Sequence, residues 1–575
     1  MKKFLLATLC IAFAFAAFAR PVSIETARLV AQNFWKNKTA DNKVIFEEVS
    51  DVFGLENMYV FNTTDNSGFV IVSADDVAIP ILGYSTSNGF MGSREMGDNI
   101  RGWLGHYSEE IQVVTAAGAT ADAETTQQWQ DLINGVAPKG NGAKSVEPLI
   151  STQWDQGAPY NQLCPYDGNR RSVTGCVATS VSQVLKYWEW PIRGTGSTTT
   201  SGGYPAAVSF DTAYQWDLMR EGGTINNAVT EWSAYEKKAV ALLMYHVGVA
   251  VKMSYSSASS GAMPSEISPA LKSFFYYASN MSSLYKAQYT DAVWQNKIKA
   301  DIDAGRPIVY GGAADNQGND GHSFVLDGYD NSNKYHFNFG WSGDKDGYYS
   351  LSSIVTGGGG YGSVSYNFTY TQHAVFGIMP GIQTTQSFTV EGGGRISGSC
   401  TFRNGSFRAF TGYLGVAAYS TEGEFLTIIN QTASVSIGAN GTKQLTINSP
   451  VKAPLTVGNY IAKAVVSVDG VNWRPLVIGY NDCPTEVPFT ITSSPQGIEQ
   501  AAASASMVKI YPNPTSGNFT VEVEGLQKVE VIDALGRVVI NQKNGKVDMS
   551  ALNNGIYSIR VTANGNTVVK KIAKR

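Results

Sequence analysis

The stretch VTGCVATSVSQVLKYW, residues 173–188, constrains the fold more than any other part of the chain. Its apolar residues fall at Val177, Val181, Val184, Leu185 and Trp188, the recurrence of a helix with one face in a core. Gly175 precedes the stripe and lets the backbone turn sharply into the helix. Cys176 therefore stands at a helix N-terminus, where the dipole favours a negative sulfur. The thiolate is the nucleophilic form, and a helix start beside an imidazolium pulls a cysteine below its usual pKa of roughly 8.5. The position equally suits a small buried cysteine that only fills space. The stretch leaves both readings open.

The ends and the composition narrow the setting. Lys2 and Lys3, the apolar run Phe4 to Ala17 and the small residues Ala17 to Ala19 read as a secretory signal over residues 1–19. Cys10 leaves with it, and Leu9 before it is too large for a lipoprotein signal. No other run is apolar and long enough to span a bilayer. The 575 residues exceed one domain, and 43% hydrophobic with 16% charged residues is a globular composition. A net charge of −4 without a Lys/Arg run argues against a nucleic-acid partner. Cys164, Cys176, Cys400 and Cys483 are too few for a disulfide scaffold. They form no CxxC pair, so no metal site is expected. Whether Cys400 and Cys483 pair stays open.

Four regions differ in texture. Residues 20–135 mix a helical opening, IETARLVAQNFWKN, with strand-like runs such as GFVIVSADDVAIPILGYS. A connector, GVAPKGNGAKSVEP (Gly135 to Pro148), follows and looks open to cutting. Residues 149–381 carry the chemistry-bearing groups. From 384 to 495 short apolar runs alternate with Gly, Asn and Ser turns, the pattern of a β-sandwich. Residues 507–575 again give short strands separated by turns.

A nucleophilic cysteine needs a base. His106 lies in the N-terminal region, His246 on an apolar helix that makes it a core residue, His336 in the strand KYHFNFGW, and His373 before AVFGIMP. His322 opens GHSFVLDGYD, a glycine followed by an apolar strand. Sixteen residues later Asn338 sits among Phe337, Phe339 and Trp341, walls that would shelter a hydrogen bond to an imidazole. Upstream, Gln156 precedes a Gly-Ala-Pro turn, where its amide and the Cys176 N–H could hold an oxyanion. SGDKDG lacks the ligand set of a calcium loop and reads as a turn after the Asn338 strand. No GxSxG elbow, P-loop, HExxH or cofactor motif is present.

WDQGAPYNQLCP, TGCVATSVSQVLKYWEWP, GHSFVLDGYD and YHFNFGWSGDKDGYYS, in that order, resemble the streptopain family of papain-like cysteine proteases over roughly Pro148 to Pro380, including the loop TGGGGYGS. The 146 residues from Cys176 to His322 also suit a papain-type spacing of about 130–150. The resemblance implies an α+β, two-subdomain catalytic domain at 145–382, with Cys176 as nucleophile, His322 as base and acid, Asn338 as orienting residue and Gln156 as oxyanion donor. Ser259, Ser260, Gly261 and Ala262, with Gly321 and Trp341, would line the substrate cleft. MYVFNTTDNSGFVIVSADD and PILGYS resemble the family's α+β propeptide, expected at 20–144 as an independently folded intramolecular inhibitor. YPNPTSGNF, IDALGRVV, LNNGIYSIRV and KKIAKR resemble the small all-β sorting domain read by type IX secretion machinery, expected at 507–575. The β-sandwich at 383–496 resembles nothing specific.

Two departures stand out. Phe339 follows Asn338 where the family has tryptophan, and Asp320 stands two residues before His322 where glycine is common. Facing the imidazole, Asp320 would favour its charged form. The expected activity is a secreted, latent cysteine endopeptidase acting on proteins or peptides, without cofactor or metal. The alternatives are a surface adhesin with a non-catalytic protease-like domain and another Cys-His acyl transferase.

Overall fold

The computed structural model describes residues 20–91, 96–137, 144–198, 207–222, 231–313, 321–351, 372–385, 388–492, 508–533 and 536–575. The signal segment, Asp320 and the TGGGGYGS loop lie outside the described residues.

In the N-terminal region, helix α1 (Ile24–Thr39) starts at Ser23, whose side chain accepts from the Thr26 N–H, and buries Ala27, Val30, Ala31, Phe34 and Trp35. Strands β1 (Phe46–Glu48), β2 (Met58–Thr63), β3 (Phe69–Ser73) and β4 (Ile81–Ser85) follow, then helices α2 (Asp98–Ala116) and α3 (Ala123–Ile133). The central region contributes α4 (Cys176–Trp188) and α5 (Ala234–Ala250). After them come strands β5 (Ser282–Tyr285), β6 (Ile308–Ala313), β7 (Gly321–Tyr329), β8 (Lys334–Asn338), β9 (Gly347–Ser350) and β10 (His373–Phe376).

These strands form one antiparallel sheet of ten in the order β1-β2-β3-β4-β9-β8-β7-β6-β10-β5. The sheet runs across the junction between the N-terminal and central regions. β9 pairs with β4, Tyr348 opposite Tyr84 and Tyr349 opposite Gly83. A Cβ on Gly83 would come within 2.8 Å of the Tyr349 ring, so glycine permits the approach. The N-terminal strands thus continue the sheet of the central region edge to edge, a join that the resemblance did not imply. The physical reason is that every residue of β4 is buried, which leaves its edge to be paired by β9 rather than by water.

Side chains leave β7 on alternate faces. Val325 packs with Val177, Val181 and Val184 of α4. Phe324 and Leu326 join the opposite core, with Trp103, Leu104 and Tyr107 of α2. A helical half built on α4 and α5 thus meets the sheet half along β7, the α+β, two-part arrangement expected.

The strand Ile382–Thr384 pairs with Arg395–Asn404, so the chain passes from the central region straight into a sandwich sheet. A second sandwich sheet is built around Phe410–Tyr419 and Gly458–Ser467. The sandwich does not hang on a tether. Arg474 reaches Glu189, the residue ending α4, at 2.8 Å and Asp217 at 2.6 Å, and Tyr276 meets Phe410 with ring centroids 6.3 Å apart. No disulfide joins the buried Cys400 to Cys483. Residues 508–575 form two small sheets around a core of their own, which includes Phe519, Val531, Ile559 and Ile572.

Candidate active site

Gly175 adopts φ +86°, and a Cβ there would lie 2.8 Å from the Met253 side chain and from the Ser260 carbonyl. Both facts demand glycine immediately before Cys176. No side chain caps the start of α4. The two residues before the glycine are held from both sides. Thr174 N–H donates to the Gln156 carbonyl at 3.0 Å, and Val173 N–H donates to the Ser256 carbonyl at 3.1 Å. Ser260 Oγ donates to the Val173 carbonyl at 2.8 Å. Gln156, Cys176 and the 254–262 loop are therefore one locality. Within that loop Ser260 is buried, Ala262 half-buried, and Ser259 and Gly261 exposed.

His322 is the second residue of β7, half-buried, beside exposed Gly321. The next residue ties the strand to the helix, for Ser323 Oγ lies 2.8 Å from Ser180 Oγ. Ser180 is one turn along α4 from Cys176. Asn338 ends β8 opposite Val325, three residues along from His322. Its Oδ1 accepts from Gln183 Nε2 at 2.9 Å and from the Gly340 N–H at 3.1 Å, while its Nδ2 donates to the Thr152 carbonyl at 2.7 Å.

Trp341 is covered by the N-terminal region. Its Nε1 donates to Asn99 Oδ1 at 2.7 Å, and Asn99 Nδ2 donates to the Phe339 carbonyl at 2.7 Å. Gly97, at the head of α2, lies so close that a Cβ would sit 2.3 Å from the Trp341 indole nitrogen. SGDKDG is a turn, as its composition suggests, and it is also a docking point. Buried Lys345 pairs with Asp344, and its ammonium lies 5.1 Å from the Phe53 ring and 5.3 Å from the Phe90 ring. Asn99, Lys345 and Gln183 were not marked by sequence reasoning. The one available signal was Gln183, a large polar side chain seven residues after Cys176 and flanked by the apolar stripe residues Val181, Val184 and Leu185.

His246 and His336 are buried and tied to polar partners. His246 meets the Tyr214 hydroxyl at 2.9 Å, and burial holds its pKa down to about 4. His336 is buried and has its pKa raised: desolvation opposes the charge, but Asp327 at 2.6 Å outweighs it. Near His336, burial pushes the Asp346 carboxyl up to about 7, against the Phe339 N–H that it accepts at 2.8 Å and the His336 charge. Asp327 and Asp344 push the same way as burial.

A carboxyl whose folded pKa lies above its unfolded value stabilises the fold in acid and ceases to do so as pH rises through the folded value. Asp346→Asn, made in a Cys176→Ala background to prevent self-cleavage, keeps an acceptor for Phe339 N–H and removes the titration. The parent is expected to lose about 2 kcal/mol relative to the variant between pH 5 and pH 8. Urea unfolding at both pH values checks this, and parallel pH dependences in parent and variant would count against it.

Residues 154–349 match the Peptidase C10 family, residues 19–111 the Spi protease inhibitor family, and residues 509–575 a secretion system C-terminal sorting domain. The chain is 31% identical over 349 residues to streptopain of Streptococcus pyogenes, covering 56% of this chain and 81% of that protein. It is 30% identical over 380 residues to the thiol protease/hemagglutinin PrtT of Porphyromonas gingivalis, covering 63% of this chain but only 42% of that longer protein. Among solved structures, prointerpain A of Prevotella intermedia is 31% identical, with a TM-score of 0.47, covering 58% of this chain and 98% of that one. No helix among the described residues is long and apolar enough to cross a membrane. The sorting domain marks a secreted or surface-attached protein. The chain belongs to the peptidase C10, or streptopain, family of cysteine endopeptidases, with an inhibitor-type N-terminal region and a secretion-sorting C-terminus.

Proposed function

We propose that this chain is a secreted endopeptidase made as a latent precursor, which cleaves proteins or peptides through a Cys-His-Asn acyl-enzyme mechanism. The observation that carries this reading is the seam between α4 and β7. Cys176 heads the helix without a side-chain cap, and one turn later Ser180 touches Ser323, the neighbour of His322. In the mechanism, the Cys176 thiolate attacks the scissile carbonyl carbon, and the oxyanion is held by the Gln156 amide and the Cys176 N–H. The His322 imidazolium gives its proton to the departing amine, then takes one from the water that cleaves the thioester. Asn338 orients the imidazole through the strand ladder it shares with the His322 strand, its own amide being held by Gln183, Gly340 and Thr152. Ser259, Ser260, Gly261 and Ala262 form one wall of the cleft, with Gly321 and Trp341 on the other side.

The N-terminal region is the intramolecular inhibitor. Its Asn99 and Gly97 occupy the Trp341 face, where substrate would otherwise lie. The C-terminal domain addresses the protein to type IX secretion machinery. A thiol-directed epoxide tests the reading. It should label Cys176 only after limited proteolysis near Lys144 has released the inhibitor region, and peptide cleavage should appear at the same step. A processed chain that hydrolyses nothing and leaves Cys176 unlabelled would sink the reading.

A further inference from the structure

We propose that Gln183 is a positioning residue for the peptidase reaction, setting the orientation of Asn338 together with that of the segment carrying Gln156. The proposal rests on the catalytic reading above.

The argument begins with helix spacing. Residues at i, i+4 and i+7 share a helix face, so Cys176, Ser180 and Gln183 form one polar line along α4. Each of the latter two meets a polar partner across the seam: Ser180 meets Ser323, and Gln183 meets Asn338. Gln183 is fully buried, with apolar neighbours Val181, Val184 and Leu185 on the same helix. A glutamine in such a place is costly unless both ends of its amide are satisfied. Both ends are, and they reach different parts of the site. Nε2 donates to Asn338 Oδ1 at 2.9 Å, while Oε1 accepts the Trp154 N–H at 3.2 Å.

The network then closes on itself. Asn338 Nδ2 donates to the Thr152 carbonyl, Ser342 N–H donates to the Trp154 carbonyl at 3.1 Å, and Ser342 Oγ donates to Asp155 Oδ2 at 2.8 Å. Residues 152–155, leading into Gln156, are thereby fixed to the turn that follows Asn338. Gln183 is the member that ties both to the helix bearing Cys176. An amide also fixes polarity. Because Gln183 donates to Oδ1, and Gly340 N–H donates there too, the Asn338 side chain is held with its oxygen toward α4 and its nitrogen toward Thr152. A flipped Asn338 would set donor against donor at Gln183.

The test uses the full-length chain, processed by added wild-type enzyme, with intact mass confirming equal processing. Gln183→Met has similar length and neither donor nor acceptor. It is expected to lower kcat about 10- to 100-fold, the scale of a misplaced catalytic group, with KM within about threefold. The rate of Cys176 alkylation by iodoacetamide should lose its acid limb and shift to higher pH, because a misoriented imidazole no longer supports the thiolate. Gln183→Glu separates the two arms. Its carboxylate still accepts from Trp154 N–H but cannot donate to Asn338, so turnover should fall at neutral pH and partly recover in acid as the carboxyl gains a proton.

Unchanged kcat and alkylation profile in Gln183→Met, or a lowered melting temperature as its sole effect, would overturn the proposal. Should that variant fail to fold, Gln183→Glu decides by the same readouts. Full turnover in Cys176→Ala would instead remove the catalytic reading itself, so the two failures are distinguishable.

Discussion

Replacing Cys176 with alanine is expected to cut peptide hydrolysis by the processed enzyme about 10⁴- to 10⁶-fold, the range for groups that act as one chemical unit. His322→Ala should match it, and the double variant should be no worse than either single one. That non-additivity is the informative part. A thiol without its base, and a base without its thiol, both abolish the same step, so removing the second costs nothing further. The measurement is kcat with a fluorogenic peptide, after processing by immobilised wild-type enzyme that is removed before the assay, so that self-cleavage does not limit. Losses that multiply in the double variant would mean that Cys176 and His322 act independently. Retention of activity in either single variant would remove that residue from the mechanism.

The second large effect is expected at Trp103, in the inhibitor region and only 5% exposed. Its ring neighbours lie mostly on the catalytic sheet: Phe337 at 4.9 Å, Phe324 at 5.7 Å and Tyr310 at 6.5 Å between centroids. Within its own helix it donates to the Tyr107 hydroxyl, which in turn donates to the Ser350 carbonyl of β9. Trp103→Ala removes an aromatic plug from a shared core and should cost about 3–5 kcal/mol. Because most partners lie across the junction, that cost falls on docking, shifting the closed-to-open ratio by about 10²- to 5 × 10³-fold. The full-length variant should show raised basal peptidase activity and faster cutting by added mature enzyme. Unaltered latency and cutting rate would show that the plug contributes nothing to the closed state.

Local features were legible in the sequence, whereas long-range partnerships were not. The apolar stripe from Val177 to Trp188 predicts α4, and each stripe residue is buried. Gly175 reads as the turn into the helix, and it carries the left-handed φ that such a turn demands. Both signals lie within a dozen residues. By contrast, the pairing of Tyr349 with Gly83 joins segments more than 250 residues apart, and neither strand's alternation names its partner. The same limit hid Asn99, whose contacts at Phe339 and Trp341 depend on how α2 crosses the sheet. Gln183 was obscured differently. Periodicity counts apolar positions, so a polar residue on the buried face registers as a gap rather than as a hinge pin between two loops. The sandwich read correctly as strands and turns, but the Arg474 clamp on the end of α4 rests on one side chain's reach.

The β4–β9 ladder bears on how the enzyme matures. Scission of a peptide bond in the connector breaks one covalent link and none of the hydrogen bonds joining Tyr84 and Gly83 to Tyr348 and Tyr349. On the proposed reading, maturation is expected to have two stages with different kinetics: a cut, second-order in protease, and a peeling step, first-order and governed by the strength of the seam. Between them a nicked but silent species is expected. Once peeled, β9 would be a bare rim able to recapture the departing fragment or zip onto another extended chain, so that dilution, rather than cutting alone, would commit the enzyme to its open form.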